Sequence, residues 1–348
     1  MAATASAAGG GAAAGAGAAA EGSATALGVV LGGAGGGGRG PTCYLNGNYL
    51  PQCAAMVPVD DRGFLFGDGV YEVVKAFKGV VFTEAEHMER MRRGLRELGM
   101  TGALSAVDAL PGIARRLLAD NKLTGEDAAV YMQITRGAAP RAHAFPPATV
   151  PPTVYVYAKP FKGATEAQMT GGVAAVTMGD TRWSRCDIKS IALLPNVLAN
   201  QKAKEAGAYE CLFLRDGNLV EASHSNVFVV LDGKLLTPPL DNILSGITRG
   251  VILAHAADLG LPVREARIPW ARFPDFAELM VTASTTESLP VVSVDGKPVG
   301  SGVVGPVATR IRALFPEWIA ADAKAAAASA AADAAAAAPA TALAHASS

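Results

Sequence analysis

Neither sign of charge dominates this 348-residue chain: 30 lysines and arginines stand against 31 aspartates and glutamates, a formal net charge of −1. That balance gives no electrostatic case for a nucleic-acid or other polyanionic partner. No apolar run approaches the ~20 residues a membrane helix needs, so no membrane partner is expected. The four cysteines, Cys43, Cys53, Cys186 and Cys211, form no C-x-x-C pair. Disulfide staples are not needed at this length, and reduced thiols in an intracellular or organelle-stroma protein are the default. None of the five histidines makes a metal pair at helical spacing, so no metal is expected. P-loop, Rossmann and G-x-S-x-G patterns are also missing.

Two ends of low complexity frame what is there. Residues 1–42 are almost pure alanine and glycine and cannot bury enough surface to offset their ordering entropy, which predicts disorder. Two readings stay open for them. One is an organelle-targeting segment, acid-poor with scattered hydroxyls, which would place the protein in a chloroplast or other organelle stroma. The other is an extension with no address and a cytoplasmic protein. Residues 317–348 form an alanine-rich tail, where alanine's helix propensity favours a frayed helix.

Between the ends, strands and helices mix without regular alternation, which predicts a two-domain α+β protein and not a doubly wound sheet. The domains expected are 43–158 and 165–316, joined by a linker over 159–164. Strand-like runs cover Tyr44–Asn46, Val70–Phe77, Ala128–Thr135 and Val154–Ala158. A Gly47-Asn48 turn follows the first. Thr83 with Glu86 three residues on reads as a capping box for a helix through Leu98. A second helix is predicted near Val107–Asn121. Arg136–Pro152, with Gly137 and several prolines, reads as a long functional loop. In the second half, helices are predicted over Asn196–Glu205, Ile247–Leu259 and Val303–Leu314, with hairpins turning at Asp216-Gly217-Asn218 and Asp232-Gly233.

One lysine stands in a run that is otherwise apolar or small. Lys189 is followed by Ile191, Leu193, Leu194, Val197 and Leu198, a pattern that implies packed interior on at least one side. A buried lysine loses its charge more readily, and a free amine is what a Schiff base with an aldehyde cofactor needs. The stretch alone leaves a surface turn open, with the charge in water. Three places suit a phosphate: Arg90 on a helix, the helix start Gly246-Ile247-Thr248, and the hydroxyls of Ser284-Thr285-Thr286.

Six motifs occur in one order: Phe66-Gly67-Asp68-Gly69-Val70-Tyr71-Glu72; Asp187-Ile188-Lys189-Ser190; Leu194-Pro195-Asn196-Val197-Leu198-Ala199; Glu221-Ala222-Ser223 with Ser225-Asn226-Val227-Phe228; Ser245-Gly246-Ile247-Thr248-Arg249; and Ser284-Thr285-Thr286-Glu287. Together they resemble the class IV, fold-type IV pyridoxal-phosphate aminotransferases, over about residues 43–316. The resemblance implies pyridoxal 5'-phosphate as cofactor, Lys189 as the Schiff-base lysine and Glu221 as the carboxylate facing the pyridine nitrogen. It also implies a phosphate held by Arg90, Ile247, Thr248 and Thr285. Arg141-Ala142-His143 is similar to the α-carboxylate trap of the D-amino-acid aminotransferases in this group, with Tyr71 and Tyr131 around the substrate. In that group the Arg-x-His loop reaches a partner's site, which implies a homodimer. The expected activity is ping-pong transamination between a D-amino acid such as D-alanine and a 2-oxo acid such as 2-oxoglutarate. A 4-amino-4-deoxychorismate lyase, alone or in a bifunctional chain, is the alternative, and a branched-chain aminotransferase is less favoured. His224 departs from the small hydroxyl residue many relatives carry there and would lie near the cofactor ring.

Overall fold

The computed structural model describes residues 40–337. Expectations for residues 1–39 and for the last eleven lie outside them. The first half runs β1 (Thr42–Leu45), β2 (Asn48–Pro51), α1 (Arg62–Phe66), β3 (Gly69–Phe77), β4 (Val80–Val81), α2 (Glu84–Glu97), α3 (Leu104–Asp120), β5 (Ala128–Thr135) and β6 (Thr153–Pro160). Its strands form a six-stranded antiparallel sheet in the order β2-β1-β6-β5-β3-β4. One face is covered by α2, whose Met88, Met91 and Leu95 recur on one stripe, and by α3 through Val107, Leu110, Ala114 and Leu117.

The second half continues with α4 (Glu166–Gly171), β7 (Val173–Gly179), α5 (Leu194–Glu205), β8 (Glu210–Arg215), β9 (Asn218–Ala222), β10 (Asn226–Leu231) and β11 (Lys234–Thr237). Then come α6 (Ile247–Ala254), β12 (Val263–Glu265), β13 (Ile268–Pro269), β14 (Glu278–Ala283), β15 (Glu287–Val294), β16 (Lys297–Pro298) and α7 (Pro306–Ala337). These strands make a ten-stranded mixed sheet, β12-β11-β10-β14-β15-β7-β8-β9-β13, with β16 paired to β15. Strand β10 is buried along its whole length because both faces are covered. Phe228 and Val230 face α6 and α7, while Val227, Val229 and Leu231 join the core on the opposite side. The expected α+β class is what the chain adopts, with one antiparallel and one mixed sheet where mixed sheets were expected.

Hairpin turns follow one rule. Asn46-Gly47, Lys78-Gly79, Asp216-Gly217, Asp232-Gly233 and Asp295-Gly296 all place two successive residues at positive φ, the first near 50°. That twist matches the strands it joins, and only the glycine adopts it without cost. The first turn is therefore Asn46-Gly47, one residue earlier than predicted.

Four expectations are corrected. Thr83 does not cap α2: it sits at φ 51°, and its hydroxyl donates to the carbonyl of Phe82. Asp322, on α7, accepts the Thr83 amide at 2.9 Å instead. The last helix runs through Pro316 well past Leu314, with Phe315 and Trp318 buried against Phe82 and the sheet. The helix after Gly246 stops at Ala254 and tightens into a 3-10 turn over Ala256–Leu259. Finally, the apolar run after Lys189 is not interior. Ile188 is buried, but Leu194, Val197 and Leu198 of α5 are more than half exposed.

Candidate active site

The two sheets meet at Lys189. Strand β4 is short and pairs only with the far end of β3, so Gly69–Tyr71 offers a free edge. The segment after Asp187 fills it: the Tyr71 amide donates to the Lys189 carbonyl at 3.0 Å and the Ile191 amide to the Gly69 carbonyl at 3.1 Å. Val70 and Ser190 form an antiparallel bridge. Gly69 is required at this seam, because a Cβ there would meet the Ile134 carbonyl oxygen at 2.6 Å. The lysine side chain emerges over Tyr71, with Nζ 4.3 Å from the ring centre. Among the described residues Nζ makes no hydrogen bond or ion pair. It is half-buried, at the wall of a cavity of about 510 Å³.

Three carboxylates organise the walls. Glu72 is fully buried on β3, on the same face as Val70, Val74 and Ala76. Both its oxygens take Arg90, with Nε at 2.7 Å and Nη2 at 2.7 Å, and His87 Nδ1 lies 2.7 Å from Oε2. Burial opposes its charge, but Arg90 and His87 outweigh that and hold the carboxyl far below the usual range. His87 is also lowered, in its case by burial, which reduces its proton affinity more than Glu72 restores it. Its Nε2 lies 3.2 Å from the Ser284 hydroxyl at the cavity. Arg90 also donates through Nη1 to the Ser245 carbonyl at 2.9 Å, which holds the guanidinium beside the start of α6.

Glu221, on β9, is the second. Its Oε2 is bound by Arg182, and Oε1 accepts from Asn226 Nδ2 at 3.2 Å and the Leu244 amide at 3.1 Å. Arg182 is shared with Asp180, which in turn holds Arg215. Burial raises the Glu221 carboxyl above its ordinary value, and Arg182 only partly offsets it. The third is Glu210 on β8, beneath Ser223, His224 and Ser225.

The residues singled out from the sequence divide in two. Tyr71, Arg90, Lys189, Glu221 and Ile247 all line the cavity. Tyr131 stands behind Tyr71, stacked at 5.7 Å between centroids. Thr248 is buried in the first turn of α6 and Thr285 lies in the β14–β15 turn, and neither is among the lining side chains. Thr282 and Ser284 line it in their place. Arg141 and His143 are exposed on the loop, packed over Phe66 at 5.3 and 5.8 Å, and do not line this chain's cavity. Their loop is anchored by Asp68, which binds Arg62 at 2.8 Å and Arg136 at 2.7 Å.

Sequence reasoning missed Glu72, His87, Arg182 and Asp68. Glu72 had a signal: it is an acid on the alternating stripe Val70, Val74, Ala76 that a half-buried strand reserves for apolar side chains. Arg182 had none, because Glu221, the partner that brings it to the site, lies 39 residues on, and its other partner Asp180 is an ordinary neighbour.

The family model of class IV amino-transferases matches residues 69–294. A D-alanine aminotransferase of Staphylococcus aureus is 38% identical over 277 residues, 79% of this chain and 97% of that one. The chain is a class IV aminotransferase. Among solved structures, the branched-chain amino acid aminotransferase of Escherichia coli superposes with a TM-score of 0.71 at 26% identity, over 80% of this chain and 95% of that one. The branched-chain enzyme of Thermoproteus uzoniensis, determined with norvaline, gives 0.68 at 26% identity, over 79% and 93%.

The cofactor of this aminotransferase is pyridoxal 5'-phosphate, and the cavity suits it. An unpaired amine stands on one wall and a buried carboxylate on another. Helix α6 has no side-chain cap, which leaves its first amides for an anion. A Cβ on Gly246 would meet Asn226 Oδ1 at 1.8 Å, so only glycine allows the backbone this close. Thr282 lines the cavity with a buried hydroxyl that has no partner among the described residues.

Proposed function

We propose that this aminotransferase exchanges the amino group between a D-amino acid, such as D-alanine, and a 2-oxo acid, such as 2-oxoglutarate. The observation that carries the chemistry is the unpaired Lys189 amine facing Tyr71 across from Glu221. The D-amino-acid reading is supported by the D-alanine aminotransferase relative, more similar in sequence at 38% than the branched-chain neighbours at 26%. It is supported also by the Arg141-Ala142-His143 loop that Asp68 holds in place. A guanidinium forks onto a carboxylate, and an imidazole adds a second donor.

Bound pyridoxal phosphate supplies the electron sink that makes the Cα–H bond of an attached amino acid acidic. Lys189 would hold the cofactor through Nζ and, when its amine is free, would take up and return the substrate proton at Nζ. Glu221, its Oε2 fixed by Arg182, would balance positive charge on the ring nitrogen. Arg90, the amides at Gly246 and Ile247 and the hydroxyls of Thr282 and Ser284 would hold the phosphate; Thr248 and Thr285 lie next to these residues in the chain. Tyr71, backed by Tyr131, shields one side from water.

The functional protein on this reading is a homodimer. Leu194, Val197 and Leu198 are exposed on α5 close to the cavity, and Arg141 and His143 stand on a surface loop, so a second copy would cover the first and receive the second. Light scattering on a sizing column tests this. If residues 1–42 are a targeting segment the protein belongs in a chloroplast or other organelle stroma, and otherwise in the cytoplasm; their fusion to a fluorescent protein tests that address.

The deciding experiment supplies D-alanine or L-leucine with 2-oxoglutarate and, separately, aminodeoxychorismate. Pyruvate with equimolar D-glutamate is expected. Transfer from L-leucine alone would make this a branched-chain enzyme, and pyruvate from aminodeoxychorismate alone a lyase. Borohydride should fix the cofactor on Lys189, and Lys189→Ala should lose at least ~10³-fold in turnover.

A further inference from the structure

Glu210 is fully buried at the start of β8, under the cavity wall. Four donors converge on it. The Ser223 hydroxyl and the His224 amide (3.2 Å) reach Oε1, the Ser225 hydroxyl (2.9 Å) reaches Oε2, and His224 Nδ1 lies 2.9 Å from Oε1. A buried carboxylate demands such partners. Their effect is to fix three consecutive cavity-lining residues in one orientation. The two serine hydroxyls are turned down onto Glu210 and spent there. His224 is different, because an imidazole has a second polar atom. With Nδ1 held on Glu210, Nε2 stands on the other side of the ring. Among the described residues Nε2 has no partner, and the side chain is 42% exposed at the cavity.

We propose that His224 is a specificity-determining residue whose Nε2–H binds the side-chain carboxylate of a dicarboxylic amino acid or 2-oxo acid. This rests on the cavity being the transamination site. An imidazolium donating to a carboxylate makes a charge-assisted bond, stronger than a serine hydroxyl in the same place would offer. Burial and the Lys189 amine work against the charge on His224, but Glu210 outweighs both and raises its proton affinity above that of an ordinary histidine. An aliphatic side chain gains nothing from this contact and loses the water around a cation. A serine would satisfy Glu210 nearly as well from the same loop, so support of Glu210 alone does not require an imidazole.

The test uses the full chain loaded with cofactor, in wild-type form and as His224→Ser and His224→Gln. Titration calorimetry measures glutarate, a diacid that cannot react, against butyrate, a monoacid of similar length. The ratio of the two affinities should fall about tenfold in both variants, the loss of one hydrogen bond to a charged group. In steady state, KM for 2-oxoglutarate should rise by a similar factor relative to KM for pyruvate, with the kcat values keeping their ratio. Equal weakening of glutarate and butyrate, or none, overturns the proposal. If D-amino acids prove not to be substrates, the proposed function falls, while the glutarate–butyrate comparison still decides the role of His224.

Discussion

Glu72 and Glu221 are chemically the same pair, a buried carboxylate meeting an arginine, yet they are held in opposite senses. Glu72 receives two donors of Arg90, Nε and Nη2, and a histidine, and among the described residues no other acid shares them. Its charge is secured. Glu221 has one arm of an arginine whose remaining donors belong to Asp180. Burial therefore leaves it eager for another positive partner. The difference lies in how many carboxylates divide one guanidinium, and it assigns different work. Glu72 is a structural anchor that aims Arg90 at the start of α6. Glu221 is poised to answer a cation inside the cavity.

That contrast can be broken most severely at the anchor. Glu72→Ala strands a buried arginine, and the denaturation midpoint should report a loss of about 3–5 kcal/mol. Glu221→Gln keeps shape and most hydrogen bonds, so its stability should change far less. Its kcat at saturating cofactor should instead fall about 10²-fold, the usual scale for removing one preorganised electrostatic group. If Glu72→Ala proved harmless to stability, or Glu221→Gln harmless to turnover, the division of labour drawn above would be wrong.

Acid sharpens the comparison further. Glu72 titrates near 4.5 when unfolded and far lower when folded, so its contribution is complete above 4.5 and is lost below it. His87 binds its proton less readily folded than at its ordinary 6.5, so stability begins to fall as pH drops through 6.5. Glu221 has the opposite sign, because its raised folded value lets the native state gain a proton first. Denaturation midpoints between pH 7 and 4 should therefore fall, and fall more steeply in Glu221→Gln. In His87→Gln the part of the decline just below 6.5 should disappear.

The smallest effects concern the helix that carries Arg90. Asp322→Ala removes the acceptor for the Thr83 amide and should cost about 1 kcal/mol, like other lost caps. Thr83→Ala should stay within about 0.5 kcal/mol, because the hydroxyl turns back on Phe82. Reversal of that order by chemical denaturation would restore Thr83 as the cap.

Thr83 also shows where reading a sequence stops. Its box with Glu86 is a local rule, and the true partner of its amide lies on another helix late in the chain. Local rules succeed where local forces decide: the paired positive-φ turns and the amphipathic stripe of α2. They fail where an answer comes from across the fold, as for Arg182 with Glu221 or Asp68 with Arg136. The run at Leu194, Val197 and Leu198 shows a third limit, for apolarity implies burial without saying against what. Ordered motifs placed Lys189 and Glu221 in one cavity, but which hydroxyls line it depended on the turn after β14.

The seam between β3 and the Lys189 segment has a consequence for how activity arises. Lys189 is carried by the second half of the chain, while the strand edge that fixes its backbone belongs to the first. Neither sheet alone presents the amine beside Tyr71. A chain with only one sheet formed can bring neither lysine nor arginine to the same aldehyde, so competence switches on with docking and not with the folding of either half. Amide exchange at Tyr71 and Ile191 should then slow in step with the gain of activity during refolding.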